Sequence, residues 1–550
     1  MSKNISYLTG RKSPTDNLFE KISQAAVEGT PTKEDLKNLA DEFLIGAANT
    51  YGTATFYDFL KPENKGKEVY ICNGSACLCA GTQDALKDNI EKHISADKIG
   101  HMTCLGRCHE NGAFNYNGEN YSNLKASEIA DLFSEKAFSK KDKYTIGHVG
   151  TPVLTKEWGS TDDIYAILKS TLKQSRDEVL TEIVTANVRG RGGAGFPMGF
   201  KLEGCKNEKS DRKFIVCNAD EGDPGAYTDR YLLEERPHLV LMGMIIAGYV
   251  VGAEWGIVYI RGEYPESVTV IQNAVQEILN AGYLGDDILG SGFNFHFKVI
   301  KAQGAYICGE ETALLSSIEG QRPEVRIRPP YPTQQGLFNL PTVVNNVETL
   351  AAIPFVMKHG GDHYRKIGTT KSSGTKLMSL DSSFKNPGVY EVEMGTPLKT
   401  VLNDLGGGFA KKIKALHIGG PLCGLVPVWM VDDLTVDFES FNQHNFLLGH
   451  ASVVGIPENF PMVQYLEHLF EFTAAESCGK CFPCRLGSVR GQELLNKAQN
   501  EDYKISRELF DDLVETLEKG SLCALGGGLP LPVKNALEHF EGELSEYFKK

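Results

Sequence analysis

The chain has 550 residues and a mass of 60.4 kDa, too long for one hydrophobic core and enough for roughly three to five domains. A net charge of −14, with 41% hydrophobic and 23% charged residues, argues against a nucleic-acid surface or a basic membrane-docking patch and leaves proteins and small molecules as expected partners. The first residues, MSKNISYLTGRKSPTDN, contain no apolar secretory segment, so a cytoplasmic location is expected.

Residues 1–66 show helical periodicity, with apolar positions three and four apart around Leu18 and Leu36, and are expected to form a helical lead-in. Residues 67–140 start with a strand ending at Cys72, followed by a cysteine loop, a helix over residues 82–93 and a second cysteine loop. Cys72 and Cys77 form one hook and Cys104 and Cys108 another, with 26 residues between the two hooks. Two hooks of two thiolates suit a [2Fe-2S] cluster, with Gly74, Ser75 and Gly106 near the sulfurs. Zinc competes, although structural zinc sites usually use narrower C-x2-C hooks.

Residues 145–370 are glycine-rich and alternate helix with strand, the pattern of a doubly wound α/β sheet. The apolar run 239–260 is expected to be a buried helix and a strand, because Gly252 and Glu254 interrupt it. The loop Gly190-Arg191-Gly192-Gly193-Ala194-Gly195, followed by Phe196 and Lys201, suits close approach of backbone N–H groups to a phosphate or flat ring. Asn218, Asp220 and Glu221 follow a strand, where open α/β sheets bind ligands. Tyr306, Gly309, Glu310 and Glu311 form a turn with two carboxylates opening a helix, and Asn345 and Asn346 lie near the end of the unit. Each piece could be purely structural, but four in one unit favour a shared ligand.

Residues 371–450 are expected to be a small β-rich fold, and residues 451–550 a four-helix bundle from helices near 466–475, 485–497, 505–519 and 532–548. The bundle carries Cys478, Cys481 and Cys484, then Cys523 after 38 intervening residues with no histidine between. Three close thiolates and one distant thiolate suit a [4Fe-4S] cluster better than zinc. The remaining five of the 13 cysteines read as small buried hydrophobes.

The motifs GRGGAGFPMGFK, NADEGDPGAYTDR, GAYICGEETAL, RPPYPTQQGL, PTVVNNVETL, ESCGKCFPCR and SLCALG, with NTYGTATFYDFL and the first four cysteines, carry a resemblance over nearly the whole chain. It resembles the NADH-oxidising flavoprotein subunit of the complex I family, fused to an N-terminal thioredoxin-like [2Fe-2S] domain. The resemblance implies a multidomain α/β protein with a Rossmann-like FMN/NADH domain, a β-grasp (SLBB) domain and a helical [4Fe-4S] domain. It implies NAD(P)H:acceptor oxidoreductase activity, with FMN and nicotinamide held by Gly190, Arg191, Gly192, Gly193, Lys201, Asn218, Asp220, Glu221, Gly309, Glu310, Glu311, Asn345 and Asn346. Phe196, Tyr306 and Tyr331 would flank the dinucleotide. Met198, Leu202, Asp223 and the Arg328-to-Tyr331 stretch depart from the family pattern. The implied setting is a multi-subunit oxidoreductase whose iron–sulfur partner subunits are of hydrogenase or formate dehydrogenase type, with a ferredoxin and electron bifurcation among the candidates, and without nucleic acid or membrane insertion. A zinc-stapled scaffold without redox function is the alternative reading.

Overall fold

The computed structural model describes residue 14 and residues 18–25, 31–134 and 142–549. The expected interdomain linker after residue 134 lies largely outside the described residues. Three larger sheets, beside one two-stranded pair, organise the described residues. The first contains Ile99–Met102, Val69–Cys72, Phe114–Tyr116 and Glu119–Tyr121 in that order, with the first pair parallel and the others antiparallel.

The second sheet is fully parallel, in the order His296–Lys301, Trp255–Ile260, Phe214–Ala219, Thr342–Asn346. Its inner strands read as continuous apolar runs because both faces are covered. Ile215, Cys217 and Val258 face a core that contains helix Pro237–Val251. Phe214, Val216 and Ile257 face Leu18, Leu36, Leu39 and Tyr57 of the N-terminal helices. The apolar run is therefore a helix and a strand, bounded by Pro237 and by Gly252 at φ 76°. No described helix is long and apolar enough to cross a membrane.

The N-terminal helices are part of the central core rather than a separate lead-in. Tyr57 Oη lies 2.7 Å from Ser317 Oγ, and the backbone N–H groups of Asp58 and Phe59 donate to Gly304 and Gln303. Sequence periodicity detects such helices but carries no signal for the surface they cover.

The third sheet has six strands, Leu425–Pro427, Ile413–Ile418, Ser452–Pro457, Thr375–Leu380, Gly388–Glu393 and Thr145–Val149. Its edge strand comes from the opposite end of the glycine-rich unit, so the boundary near residue 370 does not separate the two cores. Glu391, fully buried on the neighbouring strand, locks the crossing. Its carboxylate accepts from the backbone N–H groups of Val153, Leu154 and Thr155 and from the hydroxyls of Thr155 and Thr375, at 2.6–3.0 Å.

The C-terminal helices are Met462–Glu476, Ser488–Asn500, Arg507–Gly520 and Pro530–His539. Two expected helix ends are strands instead: Ile505–Ser506 pairs in parallel with Phe548–Lys549. Cys523 lies in none of the four helices. It caps the short helix Ala524–Gly528 between the last two.

Removing the Glu391 carboxylate leaves several buried donors without an acceptor, each costing about 1–3 kcal/mol. Glu391→Ala should therefore lower the melting temperature and open residues 150–156 to limited proteolysis, with Glu391→Gln milder. An unchanged melting curve and digestion pattern for Glu391→Ala would refute the bracing role.

Candidate functional site

The order of the parallel sheet places a switch between Phe214–Ala219 and Thr342–Asn346, because successive crossovers leave the central strand in opposite directions. Such a switch opens a crevice at the strands' C-terminal ends. Asn218 and Asn346 face each other across it in register. A cavity of about 460 Å³ occupies this position, lined from the strand ends by Asn218, Asp220, Glu221, Gly222, Asp223 and Asn346.

Three further segments close it. Gly192, Gly193 and Ala194 bring the glycine loop, and Tyr306, Ile307, Gly309 and Glu310 bring the turn before helix Glu311–Ile318. Leu448, Gly449 and His450 add a wall from the third-sheet unit, and Ala524, Leu525 and Gly528 a floor beside Cys523. The glycines are there for space. A Cβ on Gly192 would stand 2.9 Å from Asn346 Cβ, and one on Gly222 2.6 Å from the Tyr306 ring. Gly193, at φ 140°, has nothing within 4 Å of its Cβ position, so its backbone faces open space.

Of the residues singled out in the sequence, Gly192, Gly193, Asn218, Asp220, Glu221, Tyr306, Gly309, Glu310 and Asn346 line the cavity. Gly190 lies behind the loop, its N–H donating to Phe196 O at 2.8 Å. The Arg191 guanidinium turns inward, donating to Ser373 O at 2.6 Å and approaching Tyr364 Oη at 3.4 Å, so its charge braces the third-sheet unit. Lys201 binds Glu311 at 3.2 Å and Val344 O at 3.1 Å. Arg328 holds the other oxygen of Glu311 at 3.0 Å. Asn345 is buried beside the cavity with an unpartnered Nδ2. Phe196 and Tyr331 are exposed aromatic rings outside the lining. Sequence reasoning missed Asp229, although it lies inside the quoted motif NADEGDPGAYTDR, and also Phe438, Asn442, Leu447 and His450, which lie on the short helix Phe438–Gln443 and the loop after it, outside every quoted motif.

The lining is acidic. Burial raises the Asp220 and Asp223 carboxyls above their usual range, and burial together with Asp229 lifts Glu221 to about 7. Tyr306 Oη donates to Asp223 Oδ1 at 2.7 Å. Buried Asp220 Oδ2 and Asp229 Oδ1 have no partner in the protein. Orphaned polar atoms around one cavity, with glycines cleared from its walls, fit a polar, flat ligand.

Cys72, Cys77, Cys104 and Cys108 are all buried, and Cys104 Sγ lies 3.6 Å from Cys108 Sγ. The N–H of Gly225 donates to Cys108 Sγ at 3.2 Å. The loop that lines the cavity through Asp223 therefore also supports these sulfurs. A Cβ on Gly106 would meet the Tyr264 ring at 2.5 Å, and the same Tyr264 donates to Glu221 Oε2 at 3.2 Å.

Cys478 and Cys484 are buried and Cys481 and Cys523 half-buried. Burial, with Glu310, Cys478 and Cys484 close by, pushes the Cys523 thiol up to about 12. Ser477 Oγ lies 3.3 Å from Cys484 Sγ, and Arg322 donates to Cys478 O at 3.3 Å. Among the described residues, the compact sets with ligand atoms within 4.8 Å of one another are His109/Glu110/Asp142 and Glu221/Asp229/His450. Neither contains a cysteine. One tetrahedral zinc with Zn–S of about 2.3 Å would draw its sulfurs to roughly 3.8 Å apart. Paired or widely spaced thiols suit polynuclear clusters instead.

Three family models match the chain: a thioredoxin-like [2Fe-2S] ferredoxin over residues 11–137, the Nuo51 FMN-binding domain over 183–355, and the NADH-ubiquinone oxidoreductase-F iron-sulfur binding region over 464–547. The chain is 34% identical to the mitochondrial NADH dehydrogenase [ubiquinone] flavoprotein 1 of Dictyostelium discoideum over 388 residues, covering 70% of this chain and 81% of that one. It is 33% identical over 525 residues to the NAD-reducing hydrogenase HoxS subunit alpha of Cupriavidus necator, covering 89% and 84%. Among solved structures, an NAD+-reducing [NiFe]-hydrogenase in the H2-reduced state matches with a TM-score of 0.87 and 28% identity, covering 98% of this chain and 93% of that one.

Asn346 is held at both ends, its Nδ2 donating to Asp229 at 2.6 Å and its Oδ1 capping helix Val347–Ala351. It cannot yield to a new methyl group. Gly192→Ala should therefore weaken binding of flavin mononucleotide to apo protein by about tenfold or more, with the apo melting temperature within a few degrees of wild type. Unchanged affinity by fluorescence titration would remove the glycine loop from the binding surface.

Proposed function

The chain belongs to the family of the NADH dehydrogenase flavoproteins and the corresponding subunits of NAD-reducing hydrogenases, and from that membership we propose that it is the NADH dehydrogenase (diaphorase) subunit of a multi-subunit oxidoreductase. The observation that carries this reading is the cavity at the sheet's switch point, with one cysteine set touching its Asp223–Gly225 loop and the other adjoining its floor. Bound FMN supplies the conversion between hydride and single electrons, and iron–sulfur clusters supply one-electron transfer.

The protein's part is to bind, orient and exclude. Gly192, Gly193, Asn218, Asp220, Glu221 and Asn346 are proposed to hold FMN, with Gly190 and Arg191 shaping the loop from behind. Tyr306, Gly309 and Glu310 are proposed to meet the dinucleotide, with Lys201 and Arg328 fixing Glu311 beside them and Phe196 and Tyr331 at the rim. Asn345 supports the strand end. Cys72, Cys77, Cys104 and Cys108 are the proposed [2Fe-2S] ligands, and Cys478, Cys481, Cys484 and Cys523 the proposed [4Fe-4S] ligands. Backbone N–H donors to the sulfurs would stabilise the clusters' negative charge.

The proposed domains are a helical lead-in at 1–66, a thioredoxin-like [2Fe-2S] domain at 67–140, a Rossmann-like FMN/NADH domain at 145–370, a β-grasp domain at 371–450 and a helical [4Fe-4S] domain at 451–550. In that scheme the lead-in and the strand Thr145–Val149 are segments contributed to their neighbours' cores. The proposed partners are iron–sulfur subunits of hydrogenase type, supported by the match along most of the HoxS subunit alpha. Phe482, Leu486 and Leu522 are exposed apolar residues flanking Cys481 and Cys523, which supports docking of such a partner where the second cluster approaches the surface.

Anaerobically purified protein should release FMN, contain about six irons per chain for one [2Fe-2S] and one [4Fe-4S] cluster, and bleach on addition of NADH. A colourless, flavin-free protein with zinc in place of iron would sink the proposal. In Cys523→Ala, one cluster's EPR signal should vanish while NADH still bleaches the flavin band; loss of flavin bleaching as well would contradict the division between cleft and cysteine set.

A further inference from the structure

The cleft wall supplied by the third-sheet unit carries a charged group that no motif announced. His450 is buried just before strand Ser452–Pro457 and lines the cavity. Its Nε2 lies 3.4 Å from Asp229 Oδ2 and 3.6 Å from Glu221 Oε1. Its Nδ1 is shut off from solvent and has no hydrogen-bond partner in the protein.

Both carboxylates are fixed independently of the histidine. Asp229 Oδ2 also accepts from Asn346 at 2.6 Å. Glu221 accepts from the N–H groups of Asp229 and Arg230 at 2.9 and 3.1 Å. The charged and titratable groups acting on His450 from the packed elements are Asp229 on helix Thr228–Glu235, Glu221 and Asp223 on the strand-end loop, and Lys376 on strand Thr375–Leu380. Lys376 is paired with buried Glu348. Burial alone would depress the imidazole, but Asp229 and then Glu221 outweigh it and hold it up at about 9. The ring is therefore a cation below that pH.

Among the lining residues, the carboxylates are Asp220, Glu221, Asp223, Asp229 and Glu310, and the cations are Arg189 and His450. Arg189 is committed to Glu439 at 2.7 Å and stacks over Phe438 at 4.2 Å.

We propose that His450 is a positioning residue that holds a positive charge in the cleft wall, between Asp229 and Glu221, and so shifts the bound cofactor's balance toward its more negative, reduced form. The inference rests on the reading of this cleft as the FMN site. A preorganised cation in a water-poor site favours whichever bound form carries more negative charge. By linkage, reduction of the cofactor strengthens the hold of His450 on its proton.

The test is a redox titration of the FMN-loaded full-length protein between about pH 6 and pH 10, for wild type and His450→Gln. In the variant, the ratio of reduced to oxidised FMN affinity should fall about tenfold, which is about 30 mV for a two-electron couple. In wild type, the flavin potential should fall more steeply as pH rises past about 9, by one further proton per two electrons, and the variant should lack that component. A wild-type profile with no steepening there, or with steepening only near the Glu221 value of about 7, overturns the proposal whether or not the variant folds. Bound FMN with an unchanged affinity ratio in the variant also overturns it, while protein that binds no FMN refutes the site reading itself.

Discussion

The Glu221 carboxylate is the interaction on which the rest of the site depends. It sits immediately beyond the central strand, sealed from solvent, and accepts from the backbone N–H groups of Asp229 and Arg230 and from Tyr264. Those bonds fix the loop from Asp220 to Gly225 in one conformation, and the loop then does two things at once. One side forms the cleft wall through Asp220 and Asp223; the other supplies the Gly225 N–H to Cys108. A buried carboxylate without such partners would be severely destabilising. Here its donors join a helix start, a strand end and a cysteine loop in one arrangement.

The outline of this arrangement was legible in the chain. Glycines flanked by acids and amides at 190–195, 218–225 and 304–311 point to a ligand because only backbone clearance explains so many small residues in that company. Cysteine spacing points to both proposed metal sets for a similar reason: ligand geometry constrains chain spacing directly. The wall around His450 was not legible, because a lone histidine after Leu448-Gly449 has no spacing partner and its neighbours Asp229 and Glu221 lie more than 200 residues earlier. Arg191 misled in the opposite direction. Its place inside a glycine loop suggested a ligand contact, yet its guanidinium finds a carbonyl on the neighbouring unit.

Domain boundaries were the least legible feature. Composition shifts mark where the local pattern changes, and the changes near residues 66, 140, 370 and 450 are real changes of pattern. Core packing ignores them: the N-terminal helices cover the parallel sheet, and a strand at residue 145 completes a sheet whose other members follow residue 370. Neither arrangement leaves a trace in periodicity, since a strand edge or helix face looks alike whichever neighbour it meets.

The strand exchange ties the molecule to the order of its own synthesis. Thr145–Val149 must wait for Gly388–Glu393, and the cleft lacks its outer wall until the chain has emerged past His450. The strands beside the first four cysteines are complete by Tyr121, whereas the second set is not complete until Cys523. The chain thus presents its two cysteine sets about 400 residues apart in time, with the cavity's outer wall formed in the interval and its floor last, so any loading of the three proposed sites during translation follows a sequence written into the topology.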